Sequence, residues 1–92
     1  TKENRNEILR AYFNKETGLA YNLGRTTING CDFSLEPYTY VNEGDVQLKS
    51  FNMDREDKWV VPFIQMASEE AGEDLQIMCA PWSPPAFMKC GL

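Results

Sequence analysis

The 92-residue chain contains no histidine. That absence removes Ser-His and Cys-His nucleophile pairs and most zinc sites, so any chemistry must use carboxylates, arginine, lysine or tyrosine. Cysteine is sparse, with Cys31, Cys79 and Cys90 odd in number and without a CxxC pair. They read as free thiols, and neither a disulfide nor a metal site is assigned to them. Basic residues are also scarce, nine against fourteen acidic ones for a formal charge of −5, and they are scattered. No basic stripe is available for phosphates, so nucleic acid is not an expected partner. No apolar run approaches the roughly 20 residues that span a bilayer, so no transmembrane segment is expected. Thr1-Lys2-Glu3-Asn4 lacks the apolar core of a signal peptide, which places any targeting signal outside the chain.

What is present is apolar and aromatic: 42% hydrophobic and 12% aromatic residues describe a globular chain, at most one domain and near the small end of what buries its own core. Its organising stretch is Leu75 to Lys89. There an uncharged apolar run, Leu75-Gln76-Ile77-Met78-Cys79-Ala80, passes into Pro81-Trp82-Ser83-Pro84-Pro85. The run reads as a strand covered on both faces, as in a parallel sheet under helices. Prolines at 81, 84 and 85 stop the strand and stiffen the loop that carries Trp82. The indole is then either a lid on the core or the wall of a pocket, because ligands meet α/β folds at the carboxyl ends of parallel strands.

In chain order, Ile8, Leu9, Tyr12 and Phe13 form one stripe of an amphipathic helix over Glu3 to Asn14, with Gly18 ending its last turn. From Leu19 to Arg25 the period becomes two, which predicts a strand with Arg25 at its exit. Thr27 to Tyr40 is a loop of turn formers studded with Phe33, Tyr38 and Tyr40, and long aromatic loops are commonly functional. Asp45 to Phe51 is assigned to neither helix nor strand. Asp54 is placed as the N-cap of a helix that runs to Gly72, in which Pro62 marks either a kink or the true first turn. The acidic run Glu69, Glu70, Glu73 and Asp74 reads as its solvated end.

Helix, strand, helix, strand, each strand feeding a loop, implies a parallel sheet. Both loops then share one edge. Arg25, Asp32, Phe33, Tyr38, Tyr40 and Trp82 would surround one mouth, offering a carboxylate, a guanidinium and aromatic faces, a set that suits sugars.

Tyr21-Asn22-Leu23-Gly24-Arg25, Cys31-Asp32-Phe33-Ser34, Tyr38-Thr39-Tyr40 and Ala80-Pro81-Trp82-Ser83-Pro84-Pro85-Ala86-Phe87-Met88-Lys89 resemble, in the same order, the blocks of glycoside hydrolase family 30, the glucosylceramidase-like retaining glycosidases. The likeness covers nearly the whole chain. It implies an α/β fold, part of a (β/α)8 TIM barrel running from about helix 1 through the loop after strand 3, with residues 1–92 an incomplete catalytic domain. It implies that Asp32 and Trp82 bind the sugar beside the scissile bond, that Arg25 lies near the nucleophile, and that Phe33 belongs to the substrate-binding set. Phe87 stands where many relatives carry tryptophan. The implied substrate is a β-glucoside or glucosylceramide-type lipid, without a cofactor, and the resemblance alone suggests a secreted or lysosomal setting.

The catalytic acid/base and nucleophile glutamates of the family match nothing in this chain and are expected on later strands. The isolated piece is therefore expected to be inert, to need the remainder of the barrel as its partner, and to dissolve poorly through its unpaired sheet edges. The other reading of the same mouth is a non-catalytic carbohydrate-binding or interaction module.

Overall fold

A computed structural model describes residues 1–90. The first helix, α1, spans Lys2–Phe13, opened by the Thr1 hydroxyl, which accepts from the Asn4 N–H, and with Glu3 and Arg10 placed to suit its dipole. Strand β1 follows at Leu23–Ile28. A long loop leads to the short helix α2, Asp54–Lys58, then α3, Val60–Ala71, and strand β2, Gln76–Pro81. A 3-10 turn at Ala86–Met88 comes after it.

β1 and β2 pair in parallel, in register from Leu23 opposite Gln76 to Ile28 opposite Pro81. α1 packs against α3, with Phe13 and Phe63 edge to face at 6.4 Å. Pro81 is the last strand residue, as its ring requires. Because the strands are parallel, the chain leaves both at the same end of the sheet, which brings the two loops singled out above to one rim.

Several boundaries differ from the sequence reading, each for a local reason. The strand expected over Leu19 to Arg25 lies at Leu23–Ile28. Leu19 and Tyr21 instead donate their N–H groups to the Ala11 and Tyr12 carbonyls, satisfying the open end of α1, and Tyr21 stacks on Tyr12 at 5.9 Å. The alternation of Leu19, Tyr21 and Leu23 thus records a strap over a helix end. Arg25 sits within β1, opposite Met78, rather than at its exit. Gly18 does not end the helix in a left-handed turn. Asn14 is the C-cap, and its side-chain oxygen accepts from Glu16 and Thr17. Gly18 is required because a Cβ there would stand 2.2 Å from the Arg10 carbonyl.

Asp54 is not the cap of the second helical segment. Met53 holds that position, and the Asn52 side chain accepts from the Asp54 N–H at 2.8 Å. The segment is two helices broken at Trp59, and Pro62 falls in the first turn of α3, where its missing N–H costs nothing. Gly72 closes α3 at φ 71°, as expected. Asp45 to Phe51 is a run of turns, with the Asp45 carboxylate accepting from the Ser50 N–H and hydroxyl, bonds that hold its pKa below the ordinary carboxylate value.

β2 is not covered on both faces by these residues: Met78 is 58% exposed. A sheet of two strands leaves the face away from the helices bare. Among the described residues only Leu9, Ala67 and Ala71 are buried hydrophobics. The radius of gyration is 16.3 Å, whereas a compact domain of this length has about 12 Å. Much of the apolar surface is left uncovered by these residues.

Candidate functional site

Trp82 is the first residue beyond β2, placed by the strand and stiffened by its prolines. Its ring meets Phe33 edge to face at 5.4 Å between centroids, and the Arg25 guanidinium carbon stands 5.3 Å from the indole centroid. Arg25 pairs in register with Met78, and side chains two and four residues further on project from the same sheet face, so the strand pleat aims Arg25 and Trp82 alike. The indole is 41% exposed, which leaves one of its surfaces free. It is not a core lid among these residues.

Asp32 and Phe33 occupy the two central positions of a turn closed by the Ser34 N–H donating to the Cys31 carbonyl at 3.0 Å and by the Ser34 hydroxyl oxygen accepting from the Cys31 N–H. That turn explains the spacing: cysteine and serine close it, and the residues between them are thrust outward. Both are exposed.

The loop bearing the turn is pinched at its base. Asn29 takes φ 63°, a conformation asparagine tolerates, and its side-chain oxygen accepts from the Tyr40 N–H at 2.9 Å. The Gly30 N–H donates to the Tyr38 carbonyl at 3.0 Å, and a Cβ at Gly30 would lie 3.1 Å from the Tyr38 backbone. Tyr38 donates its hydroxyl to Glu56 Oε1 at 2.6 Å. Burial, then that bond, push its phenol up to about 12, and burial also raises the Tyr40 phenol.

Asp32 and Trp82 line one open concavity of about 800 Å³, together with Tyr38, Pro84 and Lys89. Arg25 and Phe33 lie against the indole rather than along that wall. Tyr40 turns away, packing on Tyr38 and on Phe51. Of the residues expected at one mouth, the structure thus brings together Arg25, Asp32, Phe33, Tyr38 and Trp82, and leaves Tyr40 as support. A second cleft, about 430 Å³ between helices and sheet, is walled by Phe13, Leu23, Phe63 and Ile77 and offers no acid–base pair.

Within the acidic run, Glu73 pairs with Lys15 at 3.0 Å and Glu70 accepts from the Asn14 amide at 2.9 Å. These carboxylates tie the end of α3 to the end of α1, away from the concavity. Among the described residues no group of three or more potential metal ligands converges, and no helix is long and apolar enough to cross a membrane. The sequence reading missed Glu56 and Arg55. Both lie in the Asp-Arg-Glu-Asp run, which looks like an exposed first turn, and nothing in the run distinguishes the one carboxylate that is buried.

Parallel strands joined through helices, with a polar and aromatic concavity at their carboxyl ends, define an α/β protein whose candidate site lies where such folds bind ligands. Residues 1–91 match the glycosyl hydrolase family 30 TIM-barrel domain, and the chain belongs to that family. It is 43% identical over 86 residues to a Caenorhabditis elegans protein whose name assigns it provisionally as glucosylceramidase 3, and 34% identical over 84 residues to the lysosomal acid glucosylceramidase of Mus musculus. Those matches cover 91% and 89% of this chain but only 16% of each relative. The crystal structure of SrfJ from Salmonella typhimurium superposes with a TM-score of 0.83 at 33% identity, covering 97% of this chain and 20% of that one. The endo-β1,6-glucanase BT3312 superposes at 0.81 with 23% identity over 97% of this chain and 19% of its own, a likeness of fold.

Proposed function

We propose that this chain is the part of a glucosylceramidase-like β-glycosidase that holds the sugar, with β1 and β2 as the second and third barrel strands and α1 as the first barrel helix. The observation that carries the reading is the shared concavity: an exposed carboxylate, Asp32, and a half-free indole, Trp82, reach it from loops after two adjacent parallel strands. An ionised carboxylate accepts hydrogen bonds from two sugar hydroxyls, and an indole face packs against the C–H face of the ring. Phe33 and Arg25 brace the indole from its other sides. Arg25, on the strand face from which Trp82 projects, would also place a cation toward the barrel centre, where it favours an ionised nucleophile.

Retention of configuration needs two carboxyl groups about 5 Å apart, one protonating the leaving oxygen and one forming the glycosyl-enzyme. The two carboxylates that line the concavity, Asp32 and Glu36, are assigned to neither role, and both groups are taken to come from elsewhere in the barrel. The substrate class is a β-glucoside, glucosylceramide included. In the complete barrel protein, Asp32→Asn is expected to lower kcat/KM for an aryl β-glucoside by about 100-fold, the scale of two charge-assisted hydrogen bonds. A variant that stays within about threefold of the parent would refute the assignment of Asp32.

A further inference from the structure

Next to the candidate sugar site lies a carboxylate that the site does not use. Glu56 belongs to α2 and is only 5% exposed. Its Oε1 accepts the Tyr38 hydroxyl at 2.6 Å, and its Oε2 is buried with no partner among the described residues. A buried carboxylate is costly unless hydrogen-bonded, so the one bond Glu56 makes is a strong and directional one. The preceding residue, Arg55, stands with its guanidinium carbon 4.2 Å from the centroid of the Tyr38 ring and reaches Glu36 at 3.5 Å. Two consecutive side chains of one short helix therefore hold Tyr38 by its hydroxyl and by its face.

Tyr38 is the far post of the loop that carries Asp32, since its carbonyl accepts from Gly30. Little of the tip is buried: Leu35 is 98% exposed and Phe33 79%, with the Phe33 edge on the Trp82 ring as its aromatic contact. With little burial to fix the tip, the loop's position is set at its base by polar contacts of defined direction.

We propose that the Glu56–Tyr38 hydrogen bond is a positioning device that fixes the loop from Asn29 to Tyr40, and through it Asp32, at the sugar site. The proposal rests on the reading of Asp32 and Trp82 as sugar-binding residues. Glu56 acts through Tyr38 and the loop; Tyr38 also lines the concavity, so loop exchange, which a direct sugar contact would not move, is the deciding readout.

The test uses the complete barrel protein with variants Tyr38→Phe, Glu56→Gln and the double variant Tyr38→Phe with Glu56→Leu. Two properties are read: hydrogen exchange of the Gly30 and Tyr40 amides, and kcat and KM for an aryl β-glucoside. Tyr38→Phe keeps the ring and the Arg55 contact, and is expected to speed loop exchange and raise KM by about tenfold each, with kcat within about threefold, the loss expected of one hydrogen bond. Glu56→Gln keeps an acceptor and is expected to stay within about twofold of the parent. The double variant leaves no buried polar group unpaired, so its melting temperature recovers while KM does not.

A purely structural pair would recover both together, and that result overturns the proposal. Unchanged loop exchange in Tyr38→Phe overturns it as well. Should Asp32→Ala leave KM untouched, the sugar-binding reading falls, and loop exchange alone still decides the clamp.

Discussion

Trp82 is where a core role and a binding role predict different numbers. Replacing it by alanine removes an edge-to-face contact with Phe33 and a cation–π contact with Arg25. The first is worth about 0.5–1.5 kcal/mol and the second about 0.5–1 kcal/mol at a partly exposed site. With the indole 41% exposed, the expected loss of stability is about 1–2.5 kcal/mol, below the roughly 3–5 kcal/mol of truncating a fully buried tryptophan. An aromatic platform under a ligand behaves as an interface anchor, so the same variant is expected to weaken binding by about 2 kcal/mol or more, roughly 30-fold. Both are measured on the complete barrel protein, stability by urea unfolding followed by circular dichroism and binding by titration with a non-hydrolysable thioglucoside. A stability loss above about 3 kcal/mol with binding unchanged would show that the indole closes a core and that the sugar assignment is wrong.

The isolated 92-residue chain, with its few buried hydrophobics and expanded radius, is expected to show no cooperative urea transition and no hydrolysis of an aryl β-glucoside; either one observed refutes the partial-barrel reading. Gly18→Ala drives a Cβ to 2.2 Å from the Arg10 carbonyl, and in the complete barrel protein is expected to cost about 2–3 kcal/mol or more. Gly44→Ala, at φ 79° with open space around it, is expected to cost about 1–2 kcal/mol through strain alone; thermal midpoints that rank the two the other way contradict the packing of the strap on α1. Tyr38 is raised from 10.0 to about 12, so its contribution to stability is fully present below pH 10 and is lost as pH climbs through 12. Alkaline unfolding monitored by tyrosinate absorbance should therefore lose one component in Tyr38→Phe, and an unchanged profile would exclude that linkage.

The elements most legible in the sequence were those with one dominant cause. The stripe Ile8, Leu9, Tyr12 and Phe13 could only be a helix face, and Pro81 could only end a strand. β1 was misplaced because the apolar alternation beginning at Leu19 serves two tasks in succession, a strap over α1 and then a strand, and periodicity does not separate them. Asp32 and Trp82 were legible as neighbours, since parallel strands bring their exits to one rim. The support beneath them was not. Glu56 is buried where Tyr38, eighteen residues away, folds back onto it, a tertiary fact with no local signature.

The ladder between β1 and β2 joins Leu23 to Gln76, a separation of 53 residues in which no other strand intervenes. Closing so long a span costs entropy before any pairing repays it, and on a ribosome β1 cannot pair with β2 until the helices and the second strand have been synthesised. At about 5–20 residues per second that interval lasts several seconds. The rim that gathers Asp32 and Trp82 is therefore the last thing this stretch assembles during translation, and a chaperone that shields nascent β1 would act before any binding surface exists.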